Sequence, residues 1–342
     1  MKRAVVLFNL GGPDCPEAIE PFLFNLFNDG AVVRLPAPLR WPIARTIARL
    51  RAPTAAGIYD KIGGGSPLRA NTELQARALE KRLGPGTRVF IAMRYWHPFA
   101  DETARAVKEW GATEILLLPL YPQFSTTTTA SSLRDWHRAS RRVGIAMPSR
   151  AICCYPDEPR FVAAIAAEVR KIVRPWRGDG EKRILFSAHG LPERIGREDP
   201  YPWQVAQTVA AIRDALGHDL EGIDSVLCYQ SRIGPLKWLG PSIGDEIRRA
   251  GAQRVSVLVV PIAFVSEHSE TLVELDVEFR HLAGAVGVPT YLRAPAVGTH
   301  DAFIAGLADL VERGFAQTVP IANGNGGRLC PASLSSCPCR PA

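Results

Sequence analysis

The fold is decided by the stretch GATEILLLP at residues 111–119, which has a counterpart in GAQRVSVLVVP at residues 251–261. Each stretch begins with glycine and alanine after a charged helical segment, continues as a short apolar run and ends at a proline. A continuously apolar run after a helical segment is typical of a strand in a parallel sheet that helices cover on both faces. The repeat therefore indicates two α/β halves.

Further apolar runs alternate with helical segments along the chain. The candidate strands are Ala4–Asn9, Arg88–Met93, Glu114–Leu118, Ile184–Ala188, Ser225–Tyr229 and Arg254–Val260. A second match pairs LFNLGGP at residues 7–13 with LFSAHGLP at residues 185–192. Any two α/β halves share some likeness, but these two matches favour duplication. We predict two similar Rossmann-like, doubly wound domains with parallel sheets that face a central cleft.

The predicted boundaries follow from the same pattern. Domain 1 covers residues 1–152 and domain 2 covers residues 153–299. We expect a helix at about 300–318 to pack back on domain 1, and residues 319–342 to form a flexible linker and a cysteine-rich tail. The linker prediction rests on the run ANGNGG at residues 322–327, because glycine and asparagine favour turns and loops.

Composition limits the classes of partner. The chain has 342 residues, 46% hydrophobic and 22% charged, with a net charge of +7, which favours anionic partners. It contains no long Lys/Arg run, so we do not expect nucleic acid. No signal peptide or apolar span is evident, which predicts a cytoplasmic protein or one peripheral to a membrane. The run Gly63–Gly65 lacks the P-loop lysine, so no nucleotide cofactor is expected.

A histidine follows the first strand of the second half. His189 stands after Ile184–Ala188 and before Gly190. Because ligands of open α/β sheets bind at the carboxyl ends of the strands, a histidine there is placed to take or give a proton near neutral pH. A lone histidine at a strand end is more often a capping or core-edge residue, so its neighbours decide between the two interpretations.

Four glutamates follow the strand that ends at Pro261. Their spacing by three, four and four residues places them on one face of a predicted helix: Glu267, Glu270, Glu274 and Glu278. Like charges at this spacing repel by roughly 0.2–0.5 kcal/mol per pair, so a solvated helix face is the ordinary explanation. The row begins beside His268 at the sheet edge that carries His189, and this favours proton removal or cation delivery.

Two further groups of candidate residues follow strands of the first half, and a third group lies earlier in the same half. Arg94-Tyr95 suits a carboxylate or phosphate, whereas the hydroxyl-rich run at 121–128 equally predicts a helix N-cap. Residues 35–50 interleave apolar and basic side chains. Such a segment can lie on an anionic membrane without crossing it, and an ordinary amphipathic helix packed on its own domain fits the pattern equally well.

Eight segments along the chain form a recognisable set. They are NLGGP (9–13), Tyr59 with IGGGSPL (62–68), MRY (93–95), YPQFS (121–125), FSAHGLP (186–192), QSR (230–232), WLGP (238–241) and PIAFVSEHSETL (261–272). Each alone is moderately specific, and together, in this order, they are highly specific. Through them the chain resembles ferrochelatases, the terminal enzymes of haem synthesis, over nearly its whole length.

The resemblance implies insertion of ferrous iron into protoporphyrin IX, giving protohaem and two protons. It implies His189 and Glu270 as the catalytic pair and as ligands of the substrate iron, with His268, Glu274 and Glu278 on the proton or metal path. The porphyrin-binding residues it implies are Tyr59, Arg94, Tyr95, Tyr121, Ser125 and Trp238.

The length of the segment Leu35–Leu50 is similar to that of the membrane-facing lip of members that use protoporphyrin. Coproporphyrin is the alternative substrate, and a tetrapyrrole or iron carrier without turnover and a related cobalt chelatase are the alternative functions. A monomer and a homodimer are both open.

Seven cysteines are an odd number for a disulfide framework. Three of them, Cys330, Cys337 and Cys339, stand in the tail, and Cys154 or Cys153 is the candidate fourth ligand of a metal or iron–sulfur site. Some ferrochelatases similarly carry a [2Fe–2S] cluster on one internal and three C-terminal cysteines. Zinc in a Cys₄ site and a tail of free thiols are the alternatives. Cys15 and Cys228 are interpreted as free or buried thiols.

Overall fold

A computed structural model describes residues 1–176, 180–232 and 236–339, so the last residues of the predicted tail, 340–342, lie outside the described part. The strands are β1 Arg3–Asn9, β2 Thr87–Met93, β3 Glu114–Pro119, β4 Ser149–Ile152, β5 Lys182–His189, β6 Ile223–Gln230, β7 Ser256–Pro261, β8 Tyr291–Arg293 and β9 Ile321–Ala322.

Helices connect most of these strands. The α-helices are α1 Ile19–Phe27, α2 Ala37–Asp60, α3 Leu68–Leu83, α4 Ala100–Trp110, α5 Thr129–Val143, α6 Pro159–Val173, α7 Glu193–Gly196, α8 Tyr201–Leu216, α9 Ile243–Gln253, α10 Arg280–Ala285 and α11 Asp301–Ala316. Short 3₁₀ turns cover Pro16–Ala18 and Gly217–Leu220, and a π-helix covers Glu270–Phe279.

The chain divides into two compact units. Unit 1 comprises 1–154, 307–328 and 338–342, and unit 2 comprises 155–306 and 329–337. The division lies two residues after the predicted one at 152/153, and it places the second half of α11 in unit 1. There Gly314 lies so close to the strand below that a Cβ atom on it would stand 2.7 Å from Leu116 Cδ1.

Both units contain a fully parallel sheet, and the order of the first four strands is the same in both. Unit 1 has the order β2-β1-β3-β4-β9 and unit 2 has β6-β5-β7-β8, without a fifth strand among the described residues. The repeated stretches therefore occupy equivalent places: 111–119 contains β3 and 251–261 contains β7, each the third strand of its unit. The prediction of two similar parallel-sheet α/β domains is confirmed.

Each sheet owes its position to apolar side chains. In unit 1, β1 and β3 are almost wholly buried and pack with Trp136 of α5, which is fully buried. In unit 2, β7 packs with Ile243 and Ile247 of α9. The sequence analysis missed β4, β8 and β9 because strands of 4, 3 and 2 residues are too short to give a distinct apolar run. The predicted linker begins inside β9, and Asn323 after it is 3% exposed.

Candidate active site

The two predicted catalytic residues follow neighbouring strands of unit 2. His189 is the last residue of β5, and Glu270 is the first residue of the π-helix that follows β7. Strands β5 and β7 are paired, and the chain passes from β5 to β6 on one side of β5 before it crosses to β7 on the other side. Such a switch point leaves a crevice at the strand ends, where ligands of open α/β sheets bind.

A hydrogen bond joins this pair. The Nδ1 atom of His189 lies 2.9 Å from Oε2 of Glu270, and the imidazole side chain is 38% exposed. Burial alone would lower the pKa of His189, but the Glu270 carboxylate outweighs it and raises that pKa. Burial likewise opposes ionisation of Glu270, and the facing His189 nevertheless holds its pKa well below the ordinary range. The carboxylate of Glu270 and the protonated form of His189 therefore stabilise each other.

A second histidine flanks the same carboxylate. His268 is 8% exposed, and its Nε2 atom lies 3.8 Å from Oε2 of Glu270. Phe264 stands between the two imidazoles, with ring centroids 6.3 Å from His189 and 4.6 Å from His268. The Phe264 ring therefore packs against both histidines that flank Glu270.

Glu274 is held by the end of β6. Its carboxylate accepts hydrogen bonds from the backbone N–H of Ser231 at 2.7 Å, the Ser231 hydroxyl at 2.6 Å and the Gln230 amide at 3.0 Å. The Ser187 hydroxyl donates to the Gln230 side-chain oxygen at 2.7 Å, and the Gln230 amide nitrogen donates to the Glu274 carboxylate and to the backbone oxygen of Glu270, each at 3.0 Å. Burial and then the charge of Glu270 raise the pKa of Glu274 despite these donors.

Ser231 links the two carboxylates. Its hydroxyl lies 3.4 Å from Oε2 of Glu270 and 2.6 Å from Oε2 of Glu274. Its φ is +63°, in the left-handed region that few residues other than glycine adopt. The site therefore holds a strained backbone where both the amide and the hydroxyl of one residue point at Glu274.

The predicted row of four glutamates is wrong at its first member. Glu267 precedes the helix, and its Oε1 atom accepts from Arg293 and from the Ala296 amide, each at 2.8 Å. The other three lie on the π-helix in four-residue steps, and the last of them, Glu278, is exposed. The row therefore runs from Glu270 beside His189 to the protein surface.

Trp238 lies next to Gly190, the residue that follows His189. Its segment pairs with the turn after β5, as Pro192 bridges to it, and a Cβ atom on Gly190 would stand 3.3 Å from its Cε3 atom. Within the described residues its buried indole Nε1 has no hydrogen-bond partner. The same Cβ atom would stand 2.7 Å from the backbone oxygen of Gln230, so a larger residue at position 190 would displace its neighbours.

The predicted residues Arg94 and Tyr95 belong to an ionic network within unit 1. The buried Asp29 accepts from Arg94 at 2.9 Å, from the Tyr95 hydroxyl at 2.9 Å and from the Ser131 hydroxyl. Burial raises the pKa of Asp29, but Arg94 and the hydrogen bonds outweigh it and the pKa is lowered. Arg94 also lies 3.7 Å from Asp135. Nothing in the sequence distinguished Asp29 as the centre of this network.

Three other residues predicted to contact porphyrin are buried in unit 1. Tyr59 packs with Ile19, Leu23 and Ala48, and is 8% exposed. Tyr121 is also 8% exposed and belongs to the core of unit 1, and Ser125 is 2% exposed. Their assignment to porphyrin stays a prediction.

Helix α2 carries the predicted lip. Its apolar side chains point to solvent, with Leu39 58%, Trp41 49%, Ile43 40% and Leu50 74% exposed. Arg45 stacks over the Trp41 ring at 5.6 Å, and Arg49 is 3.4 Å from Glu20. Among the described residues no helix is long and apolar enough to cross a membrane.

The internal cysteines lie beside one another in unit 1. The Sγ atom of Cys153 is 3.0 Å from that of Cys154 and 3.4 Å from that of Cys339. Cys330 and Cys337 are also buried, and the amide of Gln204 donates to the Cys330 sulfur at 3.1 Å. In the described ranges, no three or more His, Cys, Asp or Glu side chains are arranged to hold a metal ion.

Comparisons with known proteins identify the family of this chain. The family model described as Ferrochelatase matches residues 2–315. The chain is 51% identical to the ferrochelatase of Phenylobacterium zucineum, covering 99% of this chain and 98% of that protein. It is 50% identical to the ferrochelatase of Caulobacter vibrioides with the same coverage, and 43% identical to that of Pelagibacter ubique, with 99% of each chain covered.

Solved structures share the fold at lower identity. The sirohydrochlorin chelatase SirB from Bacillus subtilis subspecies spizizenii, in complex with cobalt, matches with a TM-score of 0.54 at 13% identity, covering 92% of this chain and 94% of that one. CbiX, the terminal enzyme of siroheme biosynthesis in denitrifying bacteria, gives 0.51 at 14% identity, covering 92% and 99%. Because the family model matches most of the chain and a relative is 51% identical to it, this chain belongs to the ferrochelatase family.

Proposed function

We propose that this protein is a metal-chelatase lyase that inserts ferrous iron into protoporphyrin IX, forming protohaem with release of two protons. Membership of the ferrochelatase family supports the activity. The observation that carries the proposal is the hydrogen-bonded pair of His189 and Glu270 at the switch point of the unit 2 sheet. The reaction needs a base for the pyrrole N–H protons and an anionic group near the metal, and this pair supplies both.

His189 is the proposed proton acceptor. Its Nδ1 atom faces Glu270, so Nε2 is the nitrogen left for the pyrrole N–H. An adjacent carboxylate fixes the tautomer and stabilises the imidazolium formed when the proton arrives. In the alternative role, the same Nε2 binds iron transiently from this side of the ring. Either role requires the Glu270 contact to orient the imidazole.

The row of carboxylates gives the proton or the iron a route to solvent. Glu270 contacts His189 and His268, the Ser231 hydroxyl lies next to both Glu270 and Glu274, and Glu278 stands at the exposed end. A path of this kind needs neighbouring groups that can exchange protons or share a cation, and carboxylates do both.

Protoporphyrin is favoured over coproporphyrin because of the apolar surface on α2. Four large apolar side chains are exposed there beside several arginines. Isolated apolar residues are normal on surfaces, but a group of them beside cations suits anionic lipid headgroups. We therefore propose peripheral contact with a membrane through Leu35–Leu50, with Tyr59, Arg94, Tyr95, Tyr121, Ser125 and Trp238 as porphyrin contacts.

The tail cysteines are proposed to bind a [2Fe–2S] cluster through Cys330, Cys337, Cys339 and either Cys154 or Cys153. The fit rests on the chemistry of the donors: five buried thiols, of which Cys153 lies between two others in unit 1. Burial and the neighbouring Cys154 raise the pKa of Cys153 well above its ordinary value, whereas a bound metal stabilises the thiolate form of its cysteine ligands. When bound, the cluster supplies a structural or regulatory centre, since metal insertion involves no redox step.

The proposal is tested by an anaerobic assay with ferrous iron and either protoporphyrin or coproporphyrin. We expect protohaem to form faster than without protein, protoporphyrin to be preferred, and His189→Ala to reduce kcat by about 10²–10⁴-fold while the fold survives. His218→Ala, an exposed histidine of the same unit, is the matched control.

Porphyrin binding without acceleration would contradict the enzyme and support a carrier. Faster insertion of cobalt than of iron would instead indicate a cobalt chelatase. Near-normal turnover by His189→Ala would contradict the role of His189.

A further inference from the structure

The π-helix Glu270–Phe279 needs support from outside itself. Its hydrogen bonds follow the i→i+5 pattern, which usually appears only as single-turn bulges in α-helices. Here it extends over 10 residues and carries Glu270, Glu274 and Glu278. A winding this unusual relaxes to the α form unless side chains compensate it. The contacts of its carbonyl groups and acidic side chains indicate which residues do so.

Strand β8 provides the closest of these contacts. Tyr291 and Arg293 are two residues apart, so both side chains leave the same face of the strand. The Tyr291 hydroxyl donates to the backbone oxygen of Leu275 at 2.7 Å. Tyr291 is 8% exposed and packs in the same core cluster as Leu275. A backbone carbonyl in the middle of the π-helix therefore has a fixed external donor.

Arg293 holds the helix at a second point and also the loop before it. Its guanidinium donates to both carboxylate oxygens of Asp276, at 2.8 and 2.5 Å, and to Oε1 of Glu267 at 2.8 Å. The side chain of Arg293 is only 10% exposed, and such a bidentate pair is geometrically specific. Glu267 stands three residues before Glu270. One side chain thus fixes both flanks of the segment that carries His268 and Glu270.

We propose that Arg293 and Tyr291 are positioning residues that hold Glu270–Phe279 in its π-helical winding and thereby set where Glu270 and Glu274 point. This inference rests on the proposed function. Four residues advance 400° in an α-helix of 3.6 residues per turn, and a different angle in a π-helix. A change of winding between Asp276 and Glu267 would therefore rotate Glu270 and Glu274 relative to each other and to His189.

The test compares Arg293→Met, Arg293→Lys and Tyr291→Phe in the full-length protein. We expect Arg293→Met to lower kcat for iron insertion by roughly 10- to 100-fold, as loss of a supporting residue around a metal site commonly does, with the KM for porphyrin changed less than about twofold. Arg293→Lys restores part of kcat, because an ammonium keeps one contact and loses the bidentate one. Tyr291→Phe keeps the ring packing and gives a smaller loss of kcat.

Amide hydrogen exchange gives a readout that does not depend on turnover. We expect exchange of the amides at 270–279 to change in Arg293→Met, because these amides have different hydrogen-bond partners in the two windings, while exchange in α9 stays as in the wild type. Arg183→Met is the matched control: Arg183 is also buried and paired with a carboxylate, Asp224 at 2.6 Å, but it stands near the start of β5. It loses stability but keeps kcat per folded molecule.

A folded Arg293→Met protein with wild-type kcat and unchanged exchange at 270–279 would overturn the inference. An equal loss of kcat in Arg183→Met would also overturn it, since the effect would then be general destabilisation. Failure of the proposed function is distinct: the wild type itself would then insert no iron, while the exchange experiment would still report on the winding.

Discussion

The imidazole Nδ1 of His189 and the carboxylate Oε2 of Glu270 lie 2.9 Å apart although 81 residues separate them in the chain. Two adjacent parallel strands, β5 and β7, bring them together at the carboxyl edge of the sheet. The carboxylate raises the pKa of His189 against the opposing effect of burial. The electrostatics of the pair therefore lead to a prediction about pH.

Activity is expected to fall toward acid pH, and Glu270→Gln is expected to move that fall to lower pH. His189 accepts a proton only in its neutral form, and its pKa is raised above the ordinary 6.5, so the base is lost as the pH falls through the raised value. In Glu270→Gln the charge that raises this pKa is gone and burial, which lowers it, remains. The measurement is kcat/KM for iron against pH, which reports the free enzyme.

At pH values above this acidic fall in activity, Glu270→Gln should also be slower than the wild type, by about 10²–10⁴-fold if Glu270 takes part in proton transfer. Glu193→Gln is a matched control, because Glu193 belongs to the same unit and pairs with Lys237 and Arg197. If activity fell at the same acid pH in Glu270→Gln as in the wild type, His189 would not be the titrating base.

Much of this site was predictable from sequence, for a physical reason. Strand ends share one edge of a parallel sheet, so a histidine after β5 and a glutamate row after β7 had to lie near each other. Side-chain partners of that row were not predictable: Ser231 follows a strand of the same sheet, but its position in the QSR motif did not indicate a contact with Glu274. Asp29 follows α1 in a loop, and Glu267 was assigned to a helix that begins at Glu270.

Two substitutions of Ser231 distinguish the contribution of its hydroxyl from that of its backbone conformation. Ser231→Ala removes the donor at 2.6 Å from Glu274, whose pKa then rises further because the hydroxyl lowers it. A hydrogen bond to a charged group contributes about 1.5–3 kcal/mol, so we expect kcat to fall by about tenfold or more. The measurement is kcat for iron insertion at neutral pH.

Ser231→Gly is the matched variant. It also lacks the hydroxyl, so its kcat should be as low as that of alanine, but glycine tolerates the φ of +63°. It should therefore be more stable than Ser231→Ala by about 0.5–1 kcal/mol in thermal unfolding. Wild-type kcat in both variants would exclude the hydroxyl from the path.

The Asp29 network predicts a pH-dependent stability. Asp29→Asn leaves Arg94 with the more distant Asp135 at 3.7 Å, so we expect a loss of about 2–3 kcal/mol in the free energy of unfolding, below that of a fully buried pair. The folded pKa of Asp29 is lowered, so its stabilisation is present above the ordinary value of 3.8 and is lost as the pH falls through the lowered one. Unfolding of both proteins from neutral to acid pH measures this, and the two curves should converge at low pH.

The exposed apolar side chains of α2 predict binding to lipid vesicles. Trp41→Ser with Leu50→Ser should weaken binding to vesicles containing anionic phospholipid and leave insertion into detergent-dispersed porphyrin unchanged. Leu74→Ser on α3 is the matched control, since Leu74 is 49% exposed and lies in the same unit. Equal binding by all three proteins in a sedimentation assay would contradict the proposed lip.

The cysteines predict a coloured protein. Four thiolate ligands for a [2Fe–2S] cluster would give a reddish-brown preparation with visible absorbance when purified without oxygen damage. Cys339→Ser should abolish the colour, because Cys339 is a proposed cluster ligand and its sulfur stands 3.4 Å from that of Cys153. Cys15→Ser, at an exposed cysteine, should leave it unchanged. Separate Cys153→Ser and Cys154→Ser variants identify the internal ligand by which of the two loses iron. A colourless protein that holds stoichiometric zinc would instead support a Cys₄ zinc site.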